Sequence, residues 1–208
     1  VGGDYLDVLA PEPGRRGVLV GDASGHGLGA ALIMIGVRAG LLSLMAVDLP
    51  IAEAFAQLSD RVEKDSPNDK FMTLFYGEFD AKRGEMTYVS GGHDAPLLYR
   101  ADDGSLTGLE STGIPIGMFS GMSYESVTVD DLTPGDILLA TSDGITEAFD
   151  VNGVAFGNEE LERLLLANND SSAEAIADAI KRAVLDHVGD APRTDDQSVL
   201  VVKVVETS

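Results

Sequence analysis

The chain has 208 residues, of which 44% are apolar, and it contains neither cysteine nor tryptophan. This length suits one domain over residues 1–208, with enough aliphatic side chains for a sizeable core. The absence of cysteine excludes disulfides, thiolate metal sites and cysteine nucleophiles, and it fits a cytoplasmic protein. The net charge of −21, from 35 acidic and 14 basic residues, argues against binding to the phosphate backbone of nucleic acids.

The start of the chain and its most apolar stretch bear on membrane insertion and domain organisation. Val1 lies inside a glycine-bearing motif, without the basic residues that begin a signal peptide. We therefore expect this domain to be the C-terminal part of a longer multidomain protein, cut at its N-terminus. Residues 28–47 are almost wholly apolar, but Arg38 lies near their centre. Because a charge in mid-bilayer is costly, we interpret the stretch as a buried core helix and expect no membrane insertion by this domain.

Hydrophobic periodicity and turn residues predict the elements of the first half of the chain. In chain order these are a buried strand at residues 17–21, a helix at 28–47, a second helix beginning at Pro50, and hairpin strands at 71–79 and 85–90. The polar residues 64–70 are expected to end the second helix. Residues 80–84 have the composition of a hairpin turn.

The second half of the chain continues with short strands and ends with two helices and a strand. The predicted strands cover residues 95–100, 106–109, 124–129, 136–141 and 198–205, and the predicted helices cover 158–167 and 172–188. Ser171 or Ser172 is expected to cap the last helix, with Glu174 in its first turn. Helices near both ends of the chain with hairpins between them do not follow the alternation of a parallel sheet. We therefore expect an α+β fold of two mainly antiparallel sheets flanked by helices.

Four short segments, three of which contain glycine, each place an aspartate beside a predicted strand. They contain Asp4, Asp22, Asp143 and Asp195, in the segments VGGDYLD, VGDASGHG, ATSDG and TDDQS. Any one segment alone is as well explained by a turn or a helix cap. Together, four convergent carboxylates would form an all-oxygen site for hard divalent cations. A bound metal would also offset the repulsion among these carboxylates.

The order of the motifs along almost the whole chain resembles a known enzyme family. The motifs are VGGDY, GDASGHG, FMTLFYG, GGHDAPLL, GIPIG, SDGITEA, FG and TDD, in that order. This set is similar to the bacterial SpoIIE/RsbU-type protein serine phosphatases, which belong to the metal-dependent protein phosphatases. The resemblance implies a four-layer α/β/β/α sandwich.

The resemblance also implies two Mn²⁺ or Mg²⁺ ions and a set of ligands. Asp22 would bridge both ions, the carbonyl of Ala23 and the carboxylate of Asp4 would hold one, and Asp143 and Asp195 would hold the other. Ions roughly 3.5–4 Å apart would acidify a shared water, so that Asp22 and Asp143 act in catalysis through metal-bound water.

Three further residues are assigned supporting roles on the same grounds. Asp7 and Asp196 could order metal-bound waters. His26 is a candidate proton donor or a residue that structures its loop. The eukaryotic members carry a histidine two residues after the bridging aspartate, where this chain has Ser24, and their phosphate-gripping arginine would lie upstream of Val1.

The resemblance implies a phosphatase for phosphoserine or phosphothreonine on a regulatory protein, namely a phosphorylated anti-sigma-factor antagonist, in stress or developmental signalling. It further implies control in cis by an N-terminal sensor or receiver domain, and it is compatible with a homodimer. One alternative is a catalytically silent scaffold of the same fold that binds a regulatory partner. Another is an acidic cation-binding protein without chemistry, although the chain contains no EF-hand loop.

Overall fold

The structure is a computed structural model that describes residues 2–47, 49–66 and 70–206. Val1 and the middle of the polar segment expected to end the second helix therefore lie outside the described residues. The chain divides into two compact units. The first unit comprises Val1–His93 and Glu110–Asp131, and the second comprises Asp94–Leu109 and Leu132–Ser208.

Nine strands and five helices lie within the described ranges. In chain order they are β1 Tyr5–Leu9, β2 Arg15–Ala23, α1 Leu28–Met45, α2 Ile51–Asp65, β3 Met72–Asp80, β4 Glu85–Gly91, β5 Leu97–Tyr99, β6 Leu106–Gly108, β7 Val127–Val129, β8 Ile137–Thr141, α3 Asp143–Thr146, α4 Asn158–Ala167, α5 Ala173–Val188 and β9 Val199–Lys203.

The first unit contains a five-stranded sheet in the order β1-β2-β3-β4-β7, and its strand pairings are antiparallel. Helices α1 and α2 pack on this sheet, and α2 does so through an apolar stripe. The core that they share is aliphatic and aromatic, and its fully buried side chains include Leu19, Val37, Leu41, Phe55, Leu58, Met72, Leu74 and Tyr76. The hairpin predicted around residues 80–84 is present between β3 and β4.

Helix α1 is less buried than its composition led us to expect. Five of its 18 residues are buried, including Val37 and Leu41, whereas Leu28, Leu32 and Ile35 on another face are exposed. The expectation of a buried core helix therefore holds for one side of α1 only, because the helix packs on the rest of the unit through that side. By length and apolar character, α1 is also the one helix in the described part of the chain that would suffice to cross a membrane.

The second unit contains a four-stranded antiparallel sheet in the order β6-β5-β8-β9. Helices α4 and α5 pack on one face of it, with a core that includes Leu139, Leu161, Leu165, Ile176, Ile180 and Val184. Ser172 is the N-cap of α5, and its hydroxyl accepts a hydrogen bond from the Ala175 amide at 3.2 Å. This side-chain cap confirms Ser172 as the start signal.

The α+β class with two antiparallel sheets and flanking helices is confirmed. A strand start was one interpretation of the segment Gly2-Gly3-Asp4, and an edge strand, β1, does follow it and pairs with β2. Two details differ from the sequence-based expectation. The residues after Ser142 form the short helix α3. The strand predicted at residues 124–129 is shorter, because Tyr124 leaves the ladder to pack edge-on against Phe55 in the core.

Candidate metal centre

In the first unit, Asp22 and Ala23 are the last two residues of β2, and Asp4 directly precedes β1. The antiparallel register pairs Tyr5 with Gly21, and the Ala23 amide donates to the Gly3 carbonyl at 3.2 Å. Pairing of the two strands therefore brings the segment with Asp4 alongside the segment with Asp22 and Ala23.

Gly3 is the point of closest approach between these segments. A Cβ atom on Gly3 would lie 2.9 Å from Asp22 Oδ1 and 2.6 Å from the Ala23 carbonyl oxygen. The carboxylate of Asp22 and the carbonyl of Ala23 thus face the same side, toward the residue that precedes Asp4. The second glycine of the first motif is required here because any side chain would occupy that space.

The loop after Ala23 depends on two glycines and one serine. Gly25 and Gly27 have φ angles of 86° and 78°, in the region that side chains rarely adopt. The Ser24 hydroxyl accepts a hydrogen bond from the Phe71 amide at 3.1 Å, so this serine holds the loop to the start of β3. His26 is exposed on this loop.

Behind Asp22, a polar chain links two neighbouring segments of the first unit. The Thr73 hydroxyl lies 3.3 Å from the Asp22 amide, which donates to it, and 3.0 Å from His93 Nδ1. His93 is only 5% exposed. Thr73 and His93 therefore fix the backbone of Asp22 from the side of β3.

Asp7 makes three contacts in the first unit. Its carboxylate accepts hydrogen bonds from the Tyr5 hydroxyl at 3.0 Å and the Val8 amide at 2.9 Å. It also pairs with Arg38 of α1. Burial first, and the neighbouring Asp7 carboxylate second, raise the pKa of Tyr5 above its ordinary value. These contacts connect β1 with α1, and the expectation that Asp7 orders metal-bound waters stays a prediction.

In the second unit, Asp143 is the first residue of α3, immediately after β8. The preceding residue, Ser142, is fully buried, and its hydroxyl accepts from the Ser198 amide at 3.0 Å. The Ser142 amide in turn donates to the Ser198 carbonyl at 3.1 Å. This reciprocal pair holds the end of β8 beside the segment that leads into β9.

Gly144 brings Asp143 close to the Thr-Asp-Asp motif. A Cβ atom on Gly144 would overlap the Asp196 carbonyl oxygen and would lie 3.4 Å from Asp195 Cβ. Asp195 and Asp196 are both exposed, and the Asp196 amide donates to Asp195 Oδ1 at 2.9 Å. The second unit thus brings together Asp143, Asp195 and Asp196.

The available donors suit a hard divalent cation, since all of them are carboxylate or carbonyl oxygens. Each unit carries two of the four aspartates at a glycine that leaves no space for a side chain. Within the described ranges, no three side chains of His, Asp or Glu cluster closely enough to bind a metal by themselves. The donor chemistry therefore fits Mn²⁺ or Mg²⁺. Such an ion takes oxygen ligands from both protein and water, so water would supply the ligands that two carboxylates per unit do not.

Sequence reasoning missed several residues that shape this centre. The supporting roles of Thr73 and Gly3 were not anticipated, and neither was the Ser142–Ser198 pair. Their partners are distant in sequence, so no local pattern marks them. The one available signal was glycine beside Asp4, Asp22 and Asp143, which is consistent with close approach of backbone as well as with a turn.

Comparison with known proteins places the chain in a family. The family model for Stage II sporulation protein E (SpoIIE) matches residues 12–205. The chain is 26% identical to Phosphoserine phosphatase RsbU of Bacillus subtilis and 26% identical to Protein IcfG of Synechocystis sp., and each alignment covers 97% of the chain. The chain spans 59% of the length of RsbU and 36% of the length of IcfG.

Solved structures show the same fold. The RsbU and RsbW domains of Rv1364c from Mycobacterium tuberculosis superpose with a TM-score of 0.78 at 29% identity, over 98% of this chain and 55% of that one. The SiaA-PP2C domain of Pseudomonas aeruginosa superposes with a TM-score of 0.84 at 20% identity, over 98% of this chain and 81% of that one. Because the family model matches residues 12–205, which is nearly the whole chain, the chain belongs to the SpoIIE family.

Proposed function

We propose that this chain is the metal-dependent phosphatase domain of a longer cytoplasmic protein and that it hydrolyses phosphoserine or phosphothreonine on a regulatory protein. One observation carries the proposal. In each unit a glycine without space for a side chain holds two of the family's aspartates in adjacent backbone segments, Gly3 for Asp4 and Asp22 and Gly144 for Asp143 and Asp195.

The proposed ligands are those that the family motifs suggest. Asp22 would bridge two ions, Asp4 and the Ala23 carbonyl would complete one coordination set, and Asp143 and Asp195 would complete the other. When bound, the two ions would supply Lewis acidity toward the phosphoryl oxygens and lower the pKa of a nucleophilic water.

The residues around these ligands hold them in place. Thr73 and His93 fix the backbone of Asp22. The hydroxyl of Ser142, the residue before Asp143, accepts from the amide of Ser198, which follows the Thr-Asp-Asp motif, so the two segments are held together. Ligand orientation matters because misplacement by about 1 Å can lower the rate on the order of a hundredfold. Asp7, Asp196 and His26 remain proposed as residues that order water or assist proton transfer.

For the substrate, we propose a phosphorylated anti-sigma-factor antagonist. The support is the family resemblance, together with the similarity to a relative named Phosphoserine phosphatase RsbU, over the aligned part of that protein. The net charge of −21 repels other polyanions, so shape around one phosphorylated residue is the expected basis of recognition rather than a broad electrostatic surface.

For control, we propose that an N-terminal sensor or receiver domain acts in cis through α1 and α2, with homodimerisation as one route. Helix α1 begins five residues after Ala23, which ends β2, so a shift of α1 would be transmitted to Asp22 and Ala23. Its residues Leu28, Leu32 and Ile35 are exposed, so this face of α1 is open to an added domain or a second copy.

Phosphate release from an aryl phosphate tests the activity. The purified domain should be active with Mn²⁺, less active with Mg²⁺ and inactive with chelator, and activity that survives exhaustive chelation would contradict the two-metal mechanism. A folded domain without turnover at saturating Mn²⁺, but with affinity for the antagonist protein, would favour the silent scaffold. The full-length protein should need a different Mn²⁺ concentration for half-maximal activity when its signal is present.

A further inference from the structure

The second unit contains a cavity of about 510 Å³ between the helix-bearing face of its sheet and α4. Its apolar lining includes Leu97 of β5, Leu139 of β8 and Leu161 of α4. This volume lies within the range typical of binding pockets, roughly 300–1,000 Å³. The cavity is large enough for one extended side chain, and the three leucines give that side chain an aliphatic surface to pack on.

The charged groups at the cavity have one sign. Asp94, Glu147 and Glu162 line it, all three are exposed, and no lysine, arginine or histidine is among the described residues that line it. None of the three carboxylates has an ion-pair partner in the described part of the chain. A different cavity of the same unit, beside α5, is lined by both Lys181 and Arg193. The lack of basic side chains among the described lining residues is therefore particular to the cavity beside α4.

A second observation is independent of these charges. Thr141, the last residue of β8, lines the cavity and is only 7% exposed. Side chains alternate along a strand, so Thr141 lies on the same face as Leu139, which is the face that contacts the helices. Its hydroxyl makes no hydrogen bond to another described residue, and its oxygen is not among the fully buried polar atoms, so it faces the cavity. A ligand with an N–H donor would satisfy it.

Two residues that line the cavity lie close in the chain to Asp143. Thr141 is two residues before Asp143, and the hydroxyl of Thr146, another lining residue, donates to the Asp143 carbonyl at 3.3 Å. A group bound in the cavity is therefore close along the backbone to a proposed metal ligand.

Resting on the proposed function, we propose that this cavity binds a lysine or arginine side chain of the phosphoprotein substrate and so contributes to sequence selectivity. The methylene stem would pack on the leucines, as such stems do on apolar surface, and the cationic head would meet the carboxylates and the Thr141 hydroxyl. Lysine or arginine, and not an acidic or apolar residue, satisfies all three features of the cavity at once.

The test uses phosphoserine peptides that differ only in one residue, lysine or norleucine, placed at successive positions on either side of the phosphoserine. At the preferred position, the lysine peptide should have a KM about fivefold lower, with kcat unchanged, as expected for a partly exposed ion pair. The double variant Glu147→Gln/Glu162→Gln should lose this preference but keep its rate on an aryl phosphate. Glu159→Gln, which removes a charge from the same helix outside the cavity, should keep the preference.

Thr141→Val separates ligand binding from a structural role. Because the hydroxyl makes no hydrogen bond to another described residue, its removal should leave the melting temperature about unchanged, while the KM for the lysine peptide rises. Equal KM values for lysine and norleucine peptides at every position, or a preference that persists in the double variant, would overturn the proposal and leave the phosphatase activity standing.

Binding of the same fluorescent peptides in the presence of chelator gives a readout that does not need turnover. Selective binding of the lysine peptide without any hydrolysis when Mn²⁺ is restored would support the cavity and contradict the proposed function instead. Loss of selective binding in the double variant, but not in Glu159→Gln, is the expected result.

Discussion

Arg38 of α1 forms an ion pair with Asp7 of β1, with 3.4 Å between Arg38 Nε and Asp7 Oδ2. Asp7 lies three residues after Asp4, on the strand that Asp4 precedes. The pair is half exposed at the arginine, so its contribution to overall stability is small, up to about 1 kcal/mol. Its position matters more, because it links the helix proposed to receive the regulatory signal with the strand next to a proposed metal ligand.

Replacing Arg38 by methionine should therefore weaken metal binding more than it weakens the fold. We expect the Mn²⁺ concentration for half-maximal phosphatase activity to rise about two- to fivefold, which corresponds to loss of an exposed ion pair. A Mn²⁺ titration of activity, together with thermal unfolding, measures both effects. Arg16→Met is the matched control, since Arg16 is exposed and contacts only the Arg15 carbonyl among the described residues. An unchanged Mn²⁺ requirement in Arg38→Met would contradict the link.

Asp22→Asn should be the most damaging single substitution, because Asp22 is proposed to bridge both ions. Asp143→Asn and Asp195→Asn should lower kcat by orders of magnitude while the fold is kept, since removal of one carboxylate relieves repulsion in the metal-free protein. Turnover at saturating Mn²⁺ and thermal unfolding without metal are the measurements. Asp102→Asn, on an exposed turn, should leave both unchanged. Near-normal rates in the three variants would refute the ligand assignment.

Gly144→Ala should displace the Thr-Asp-Asp motif, because the new methyl group would overlap the Asp196 carbonyl oxygen. We expect a loss of stability of about 1–3 kcal/mol, as for other overpacked sites, and a fall in kcat of more than about tenfold. Chemical denaturation and aryl phosphate turnover measure the two effects. Gly36→Ala is the control, since Gly36 lies in α1 with open space around it and alanine favours the helix. Wild-type activity in Gly144→Ala would show that this close approach is not needed.

Stability should fall at alkaline pH, and Tyr5 should contribute to the fall. Burial, followed by the hydrogen bond to Asp7, raises the pKa of Tyr5 in the folded state above the ordinary value of 10.0. The folded state therefore keeps this proton while the unfolded chain loses it, so the contribution is complete below about pH 10 and is lost as the pH rises above it. Unfolding by denaturant should be measured from about pH 8 to about pH 11, a range that spans the ordinary tyrosine pKa. The free energy of unfolding should decline less steeply with pH in Tyr5→Phe than in the wild type. An identical slope in the variant would exclude this contribution.

The local sequence was sufficient for the elements that rest on periodicity and turn chemistry. The hairpin between β3 and β4, the start of α5 at Ser172 and the bounds of α4 at residues 158–167 were predicted from local patterns and are present. Side-chain spacing and capping act over a few residues, so they are visible in a single sequence. The order of the glycine and aspartate motifs in the sequence was likewise sufficient to indicate the family.

Other features depended on contacts between residues far apart in the chain. The exposed face of α1 could not be predicted, because an apolar helix shows no polar side that marks which face meets the sheet. The edge strand β1 exists because its residues pair with β2, and the hydrogen bonds that define it come from that partner.

The same distinction applies to the candidate metal centre. The sequence by itself determined which aspartates are candidates and which chemistry oxygen donors favour. Only the tertiary structure showed that Gly3 and Gly144 leave no space for side chains, and that Thr73 and Ser142 hold the backbone of the aspartate segments. It also placed Thr141 with three carboxylates around one cavity. The physical reason is that close approach and hydrogen-bond satisfaction are properties of atoms brought together by folding, and no spacing along the chain records them.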